Sequence, residues 1–322
     1  MRKFLAVLFA GVLGALAGLA PAHAAYPEKV VKLVVPYAAG GANDIFARFI
    51  AQELSVRWKQ QVITENRPGG SATIGGQAVA TSPADGYTLL VASSTFAAHP
   101  ALFPKLPYDM KKDFVMVAKV VDAPVLLIAH PDVPITTAGD LVAYVKRSPV
   151  TINYGTAGNA STPHLTAELF NAKAGIKMTH VPYKGDNQAI LGVMNGSVPV
   201  AFTSVLAALP QVRAGKLKAI GISTLIRVEQ MPETPTIAES GLPGYELAGW
   251  YSLLAPAGTP PAIVNFIADA VRAIVTDPEG KKRMNSLGVA VAFMGPEEFK
   301  AYMASEITKL TAVVNDAKIS AE

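Results

Sequence analysis

Short β-branched apolar runs alternate with amphipathic stretches along most of the chain. Val30 to Val35 reads as a strand that ends in a Pro and Gly cluster. Across Asp44 to Arg57, Ile45, Phe46, Phe49, Ile50 and Leu54 then recur at helical spacing. The same unit is expected to begin again at Tyr87 to Ala92, Val125 to Ala129, Thr151 to Tyr154, Met178 to Val181, Val198 to Phe202 and Leu217 to Ser223. Such alternation predicts an α/β fold with mostly parallel sheets. From Thr259 the pattern turns helical, with starts marked by Pro260-Pro261, Asp277-Pro278 and Gly295-Pro296-Glu297-Glu298. Proline fits the first helical turn, and carboxylates there meet the positive end of the helix dipole. No linker of low complexity interrupts the chain, so two lobes would be joined by strands crossing between them, around a hinged cleft.

The N-terminus changes this picture. Arg2 and Lys3 precede the apolar run Phe4 to Ala20, and Pro21-Ala22-His23-Ala24 ends in the small-x-small pattern of a signal-peptidase site. Cleavage after Ala24 would remove both early basic residues and lower the formal charge of the 322-residue chain from +4 to +2. A membrane anchor is the alternative reading, since the run reaches the lower length limit of a spanning helix. The chain has no Cys, which removes lipid acylation of a cysteine and excludes a disulfide scaffold and a Cys-based zinc or iron–sulfur site. The mature chain is therefore expected in the periplasm. Lys and Arg are scattered, which argues against nucleic acid as a partner.

Two loops carry the candidate chemistry. The first, Pro36-Tyr37-Ala38-Ala39-Gly40-Gly41-Ala42-Asn43-Asp44, falls between a strand and a helix. Its glycines would let a ligand approach backbone N–H groups at a helix start, where anions are favoured. A plain tight turn explains it equally well. The second, Tyr154-Gly155-Thr156-Ala157-Gly158-Asn159-Ala160-Ser161-Thr162-Pro163-His164, has the same placement, with Thr162 a candidate cap and Pro163 a first helical residue. Two such loops in different lobes would form two anion seats on one cleft. Asn66-Arg67-Pro68-Gly69-Gly70-Ser71-Ala72-Thr73-Ile74-Gly75-Gly76 reads as a mobile surface turn before a helix or a phosphate cradle, and Val181-Pro182-Tyr183-Lys184-Gly185 as a plain turn or one that brings Tyr183 and a backbone N–H to a cleft. Ser93 and Thr203, at strand ends, join the candidates, and Phe96 is a candidate for shaping the middle of the cleft.

Catalytic sets are absent from the sequence. There is no G-x-S-x-G, H-E-x-x-H or Cys nucleophile, and no dinucleotide or P-loop signature. His164 and Glu168, at i and i+4, would seat a metal only with a third ligand, and otherwise read as a helix start with a solvated Glu. No cofactor and no metal is expected.

Read together, the segments resemble the Bug family of periplasmic solute receptors, the substrate-binding components of tripartite tricarboxylate transporters. The resemblance runs from Tyr26-Pro27-Glu28-Lys29 through Gly40-Gly41 with Asp44, Asn66-Arg67-Pro68-Gly69-Gly70 and Ala84-Asp85-Gly86-Tyr87-Thr88-Leu89. It continues over Leu106-Pro107-Tyr108-Asp109, Tyr154-Gly155-Thr156-Ala157-Gly158, His180-Val181-Pro182-Tyr183-Lys184-Gly185, Pro235-Thr236-Ile237-Ala238-Glu239-Ser240-Gly241 and Trp250. It implies a two-lobed Venus-flytrap fold, type II-like, with 25–104 and 224–322 as a discontinuous first lobe and 105–223 as the second. It also implies a small carboxylate ligand, held by Tyr37, Ala38, Gly40 and Gly41 in one loop and by Thr156, Ala157, Gly158 and Ser161 in the other. Asp44 and His164 match the family pattern as ligand contacts or as helix-start supports.

Two departures matter. Thr203-Ser204 stands where an acidic residue often follows the strand, which predicts an unaminated carboxylate, and Asn159-Ala160 replaces a pair that usually contains glycine. The implied partners are integral-membrane transporter subunits that dock transiently on a monomer. A ligand-dependent periplasmic sensor protein, with a periplasmic sensor domain as its partner, or an exported hydrolase or lyase acting on a carboxylated substrate, are the alternative functions.

Overall fold

The computed structural model describes residues 26–319; the expected signal peptide lies outside the described residues. β1 (Val31–Val35) runs into α1 (Ala42–Trp58), which returns the chain to β2 (Val62–Asn66). A 3-10 turn at Gly70–Ala72 and α2 (Thr73–Ala80) lead to β3 (Thr88–Ser93) and α3 (Thr95–Leu102). β4 (Phe114–Ala123) is separated from β5 (Val125–Ala129) by Pro124 alone. Next come α4 (Ala138–Arg147), β6 (Asn153–Thr156), α5 (Thr162–Ala174), β7 (Thr179–Pro182), α6 (Asp186–Met194), β8 (Val200–Ser204), α7 (Val205–Arg213) and β9 (Lys218–Ile222). The chain then returns through β10 (Gly249–Pro256), α8 (Pro261–Thr276), α9 (Pro278–Ser286), β11 (Ala290–Met294) and α10 (Pro296–Asp316).

The strands form two sheets, ordered β11-β4-β10-β3-β1-β2 and β7-β6-β8-β5-β9. The α/β alternation is as expected, but the sheets are mixed rather than mostly parallel. β1 pairs in parallel with β2 and β3, and β6 with β7 and β8. β10 runs antiparallel to both its neighbours, as does β5. These two strands arrive directly from the other sheet, with no helix to reverse the chain, so each enters against the direction of its neighbours. β4 also corrects a boundary: residue 105 was expected to open the second lobe, yet β4 pairs with β10 and β11 in the six-stranded sheet.

Both faces of both sheets are covered, which is why their strands read as nearly continuous apolar runs. On β1, Val31, Leu33 and Val35 face the layer of α1 and α8, while Val34 faces that of α3 and α10. α8 contributes Val264, Ile267, Val271, Ile274 and Val275, the three- and four-residue spacing of a helix with one apolar stripe. In the second sheet Phe202 packs against Phe170 of α5, and the opposite face meets Ile190 and Val193 of α6. No helix among the described residues is long and apolar enough to cross a membrane.

Candidate ligand-binding cleft

Where the chain crosses between sheets, Ala123, Val125 and Gly249 line a cavity of about 790 Å³. The β1–α1 loop forms one wall with Tyr37, Ala38, Gly40 and Gly41, joined by Ser93 at the end of β3. The β6–α5 loop forms the other with Ala157, Asn159, Ala160 and Ser161. The two loops singled out in the sequence thus face the same space.

Local sequence explains how the first loop is held. Gly40 takes φ +80°, a left-handed backbone that suits glycine, and its N–H donates to Asp44 Oδ2 at 2.9 Å. The same carboxylate accepts from Arg48 Nε at 2.8 Å and from Asn66 Nδ2 at 2.9 Å, and that amide also donates to the Tyr37 carbonyl at 3.1 Å. Burial alone would raise the Asp44 carboxyl, but the bonds from Arg48, Gly40 and Asn66 outweigh it and hold the group below the usual range. Asp44 therefore braces the loop and does not line the cavity. Gly41 begins α1 with no side-chain cap, leaving the first N–H groups of the helix open to the cleft. The Tyr37 hydroxyl pairs with Ser93 Oγ at 2.7 Å, which fixes the ring against the wall; burial raises its phenol against the lowering effect of bonds to Ser93 and Thr95.

The second loop is tied largely to itself. Ser161, rather than Thr162, caps α5, accepting from His164 N at 3.4 Å while its hydroxyl donates to the Gly158 carbonyl at 2.7 Å. Gly158 N donates to Thr156 Oγ1 at 3.2 Å and Ala160 N to His164 Nδ1 at 3.0 Å. Thr156 Oγ1 lies 2.6 Å from His180 Nε2, beneath the loop. Thr156, Gly158 and His164 are therefore supports outside the cavity lining, and the neighbouring Ala157 and Asn159 face the ligand space instead. Ala160 sits at φ +55°, which gives a physical reason for a glycine-containing pair to be commoner here.

His164 stands 4.0 Å from Glu168 and stacks on His180, and no group of three potential metal-binding side chains occurs among the described residues. Burial pushes His164 down to about 3, with a smaller contribution from His180, and pushes His180 to about 4. Three further expectations are corrected. Thr203 is fully buried and Tyr183 packs beside Gly192, so neither lines the cavity. Phe96 is fully buried in the core against His99 and Tyr108.

Pro68, Gly69 and Ser71 bring the loop after β2, read as a surface turn or a cradle, to the same cleft. The sequence reading missed other lining residues, among them Tyr251, which reaches it from β10. From the start of α6 come Lys184, Asp186 and Asn187. An acid is missing after Phe202, as read, but Asp186 supplies one from a different element, accepting from Ser204 N at 3.1 Å and Ser204 Oγ at 2.9 Å. The signal was present in Gly185-Asp186 before a helix.

A family model described as "Tripartite tricarboxylate transporter family receptor" matches residues 46–319. Protein BugT of Bordetella pertussis is 31% identical over 320 residues, covering 98% of each chain. The adipate-bound structure of Rpa4515 from R. palustris superposes with a TM-score of 0.86 at 33% identity, covering 92% of this chain and 99% of that one. MatC from Rhodopseudomonas palustris, with bound malate, gives 0.80 at 33% identity over 90% and 100%.

Proposed function

The chain belongs to the tripartite tricarboxylate transporter receptor family, the Bug-type receptors its sequence resembles, and from that premise we propose that it captures a small carboxylate between its two sheets. The observation that carries this is the meeting of the uncapped start of α1 and the β6–α5 loop on one cavity. Hydrogen bonds to a charged group contribute about 1.5–3 kcal/mol net each. A helix N-terminus adds roughly 0.3–2 kcal/mol, so a few such contacts offset the entropy of association without an arginine clamp. Tyr37, Ala38, Gly41, Ser93, Ala157, Asn159 and Ser161 are the residues we assign to the ligand. The protein acts without catalysis, in the periplasm after removal of the leader, and hands its ligand to membrane transporter subunits. Closure pivots where the chain crosses between sheets, at Pro124 and in the return from Ile222 to Gly249. The malate and adipate of the two relatives place dicarboxylates first among the ligands to try.

A thermal-shift screen of the purified mature chain against mono-, di- and tricarboxylates, aromatic acids and amino acids tests this. A ligand at 100 times its Kd stabilises the fold by about 2.7 kcal/mol. A shift confined to carboxylates is expected. No shift with any acid, together with no acid released on denaturation and detected by mass spectrometry, would overturn the assignment.

A further inference from the structure

Among the described residues, Asp186 is the one carboxylate that lines the cleft and Lys184 the one cation. The Lys184 side chain is exposed, and Asp186 forms no ion pair among the described residues. Ser204, through its N–H and its hydroxyl, supplies the two hydrogen bonds the carboxylate receives. An ionised carboxylate offers about four acceptor positions, so roughly half of its capacity is left without a donor among the described residues. Asp186 is half-buried, burial works against its charge despite the bonds from Ser204, and its charge helps to raise the Tyr251 phenol across the cleft. When the lobes close over a ligand, the remaining solvent leaves. A carboxylate that loses water without a new donor is costly, and a second carboxylate pressed against it adds like-charge repulsion.

Several helix starts, among them those of α1, α5, α6 and α7, converge on the cavity. At the start of α6 the protein places its own anion. Resting on the carboxylate reading above, we propose that Asp186 is a specificity-determining residue: the ligand is a carboxylate that also bears a hydrogen-bond donor, an ammonium or hydroxyl group, aimed at Asp186. The plain carboxylates seat at α1 and the β6–α5 loop, and the donor fills the place beside Asp186 where a further anion would be rejected. This reverses the expectation, drawn from Thr203-Ser204, of an unaminated ligand.

The test is calorimetric titration of the mature protein, unfolded and refolded to strip any bound acid, with matched series. These are succinate, malate and aspartate; glutarate, 2-hydroxyglutarate and glutamate; and adipate with 2-aminoadipate. In at least one series the donor-bearing member should bind about tenfold or more tighter than its plain parent, the ratio expected of one hydrogen bond to a charged acceptor. Asp186→Asn should shrink that ratio to within about threefold while leaving the plain acid bound as well as before or better. A larger gain for the amino acid than for the hydroxy acid identifies the donor as ammonium; the reverse identifies it as hydroxyl. Plain acids equal or ahead in every series of the wild type would overturn the proposal even if the variant fails to fold, while leaving the carboxylate reading intact. Unchanged discrimination in a folded Asp186→Asn would also overturn it. Binding of no acid at all would bring down the carboxylate reading and this proposal together.

Discussion

The imidazoles of His164 and His180 lie ring on ring beneath the β6–α5 loop, their centroids 3.8 Å apart and their planes within 13°. His164 Nδ1 accepts the Ala160 N–H, so this nitrogen carries no proton. Protonating it would set two donors against each other, and two charged rings in contact would repel.

The pH dependence of stability follows from that pair. Both groups titrate well below 6.5, at about 3 and about 4, so the unfolded chain binds their protons first. Their contribution is complete above pH 6.5 and is lost as pH falls toward those values. The ligand-free protein should show a Tm that declines from pH 6.5 to 4, and a His164→Asn, His180→Phe double variant should decline less over the same interval. Parallel pH profiles for the two proteins would refute the assignment.

Asp44 makes a separate prediction. Its carboxylate joins Gly40, Arg48 and Asn66, and through Asn66 the Tyr37 carbonyl. Asp44→Ala removes that centre from a buried position and leaves the Gly40 N–H without its partner. A stability loss of about 1–3 kcal/mol is expected in urea unfolding, with ligand affinity weakened about tenfold or more as the loop loosens. Affinity unchanged in a destabilised variant would mean the brace serves the fold alone.

The two loop glycines should behave differently. Gly41 has φ −78°, and an added Cβ would meet nothing closer than the Ala38 carbonyl at 3.6 Å. Gly41→Val should therefore keep most of the stability, at a cost of about 1 kcal/mol for a poorer cap, while its branched side chain blocks the ligand and weakens binding strongly. Gly158 has φ +130°, and a Cβ there would come within 3.2 Å of the Tyr183 carbonyl. Gly158→Val should lower Tm markedly before any effect on binding is read. Equal Tm losses in the two variants would contradict this distinction.

How far the sequence carried can be judged from particular elements. The β1, β3 and β5 to β9 runs stood out because each is short, β-branched and bounded by turn residues, and α8 because Pro261 and its apolar stripe mark its start and face. β4 and β10 were passed over because they are long and buried on both faces, and Lys119, 2% exposed and paired with Asp122 at 2.6 Å, breaks the apolar run of β4. In the cleft, the two loops were legible from glycine and helix-start patterns. Which N–H groups remain free was not, because that depends on Asp44, Thr156 and His164 reaching back over a few residues to occupy their neighbours. Gly185-Asp186 marked a helix start in the sequence, but that this start reaches the cleft was not legible, because the Asp186 partner Ser204 ends β8, 18 residues on, and pairing of that kind leaves no local pattern.

One last contact joins the two walls directly. The Thr162 hydroxyl lies 2.9 Å from Ser94 Oγ and 3.4 Å from Thr95 Oγ1, linking the start of α5 to the β3–α3 corner of the other sheet. Ser161 caps the helix, so Thr162→Val leaves the cap intact while it removes the bridge and one hydroxyl from the cavity wall. The bridge contributes about 0.5–1.5 kcal/mol by the usual balance for a neutral hydrogen bond, so the variant should bind its acid about two- to tenfold more weakly, chiefly through faster dissociation. Stopped-flow displacement would give the rate, and small-angle scattering of the ligand-free protein should report a larger radius of gyration as the lobes spend more time apart. The scattering radius is the readout specific to the bridge, since Thr162 also lines the cavity; a wild-type radius would mean that closure does not depend on this contact.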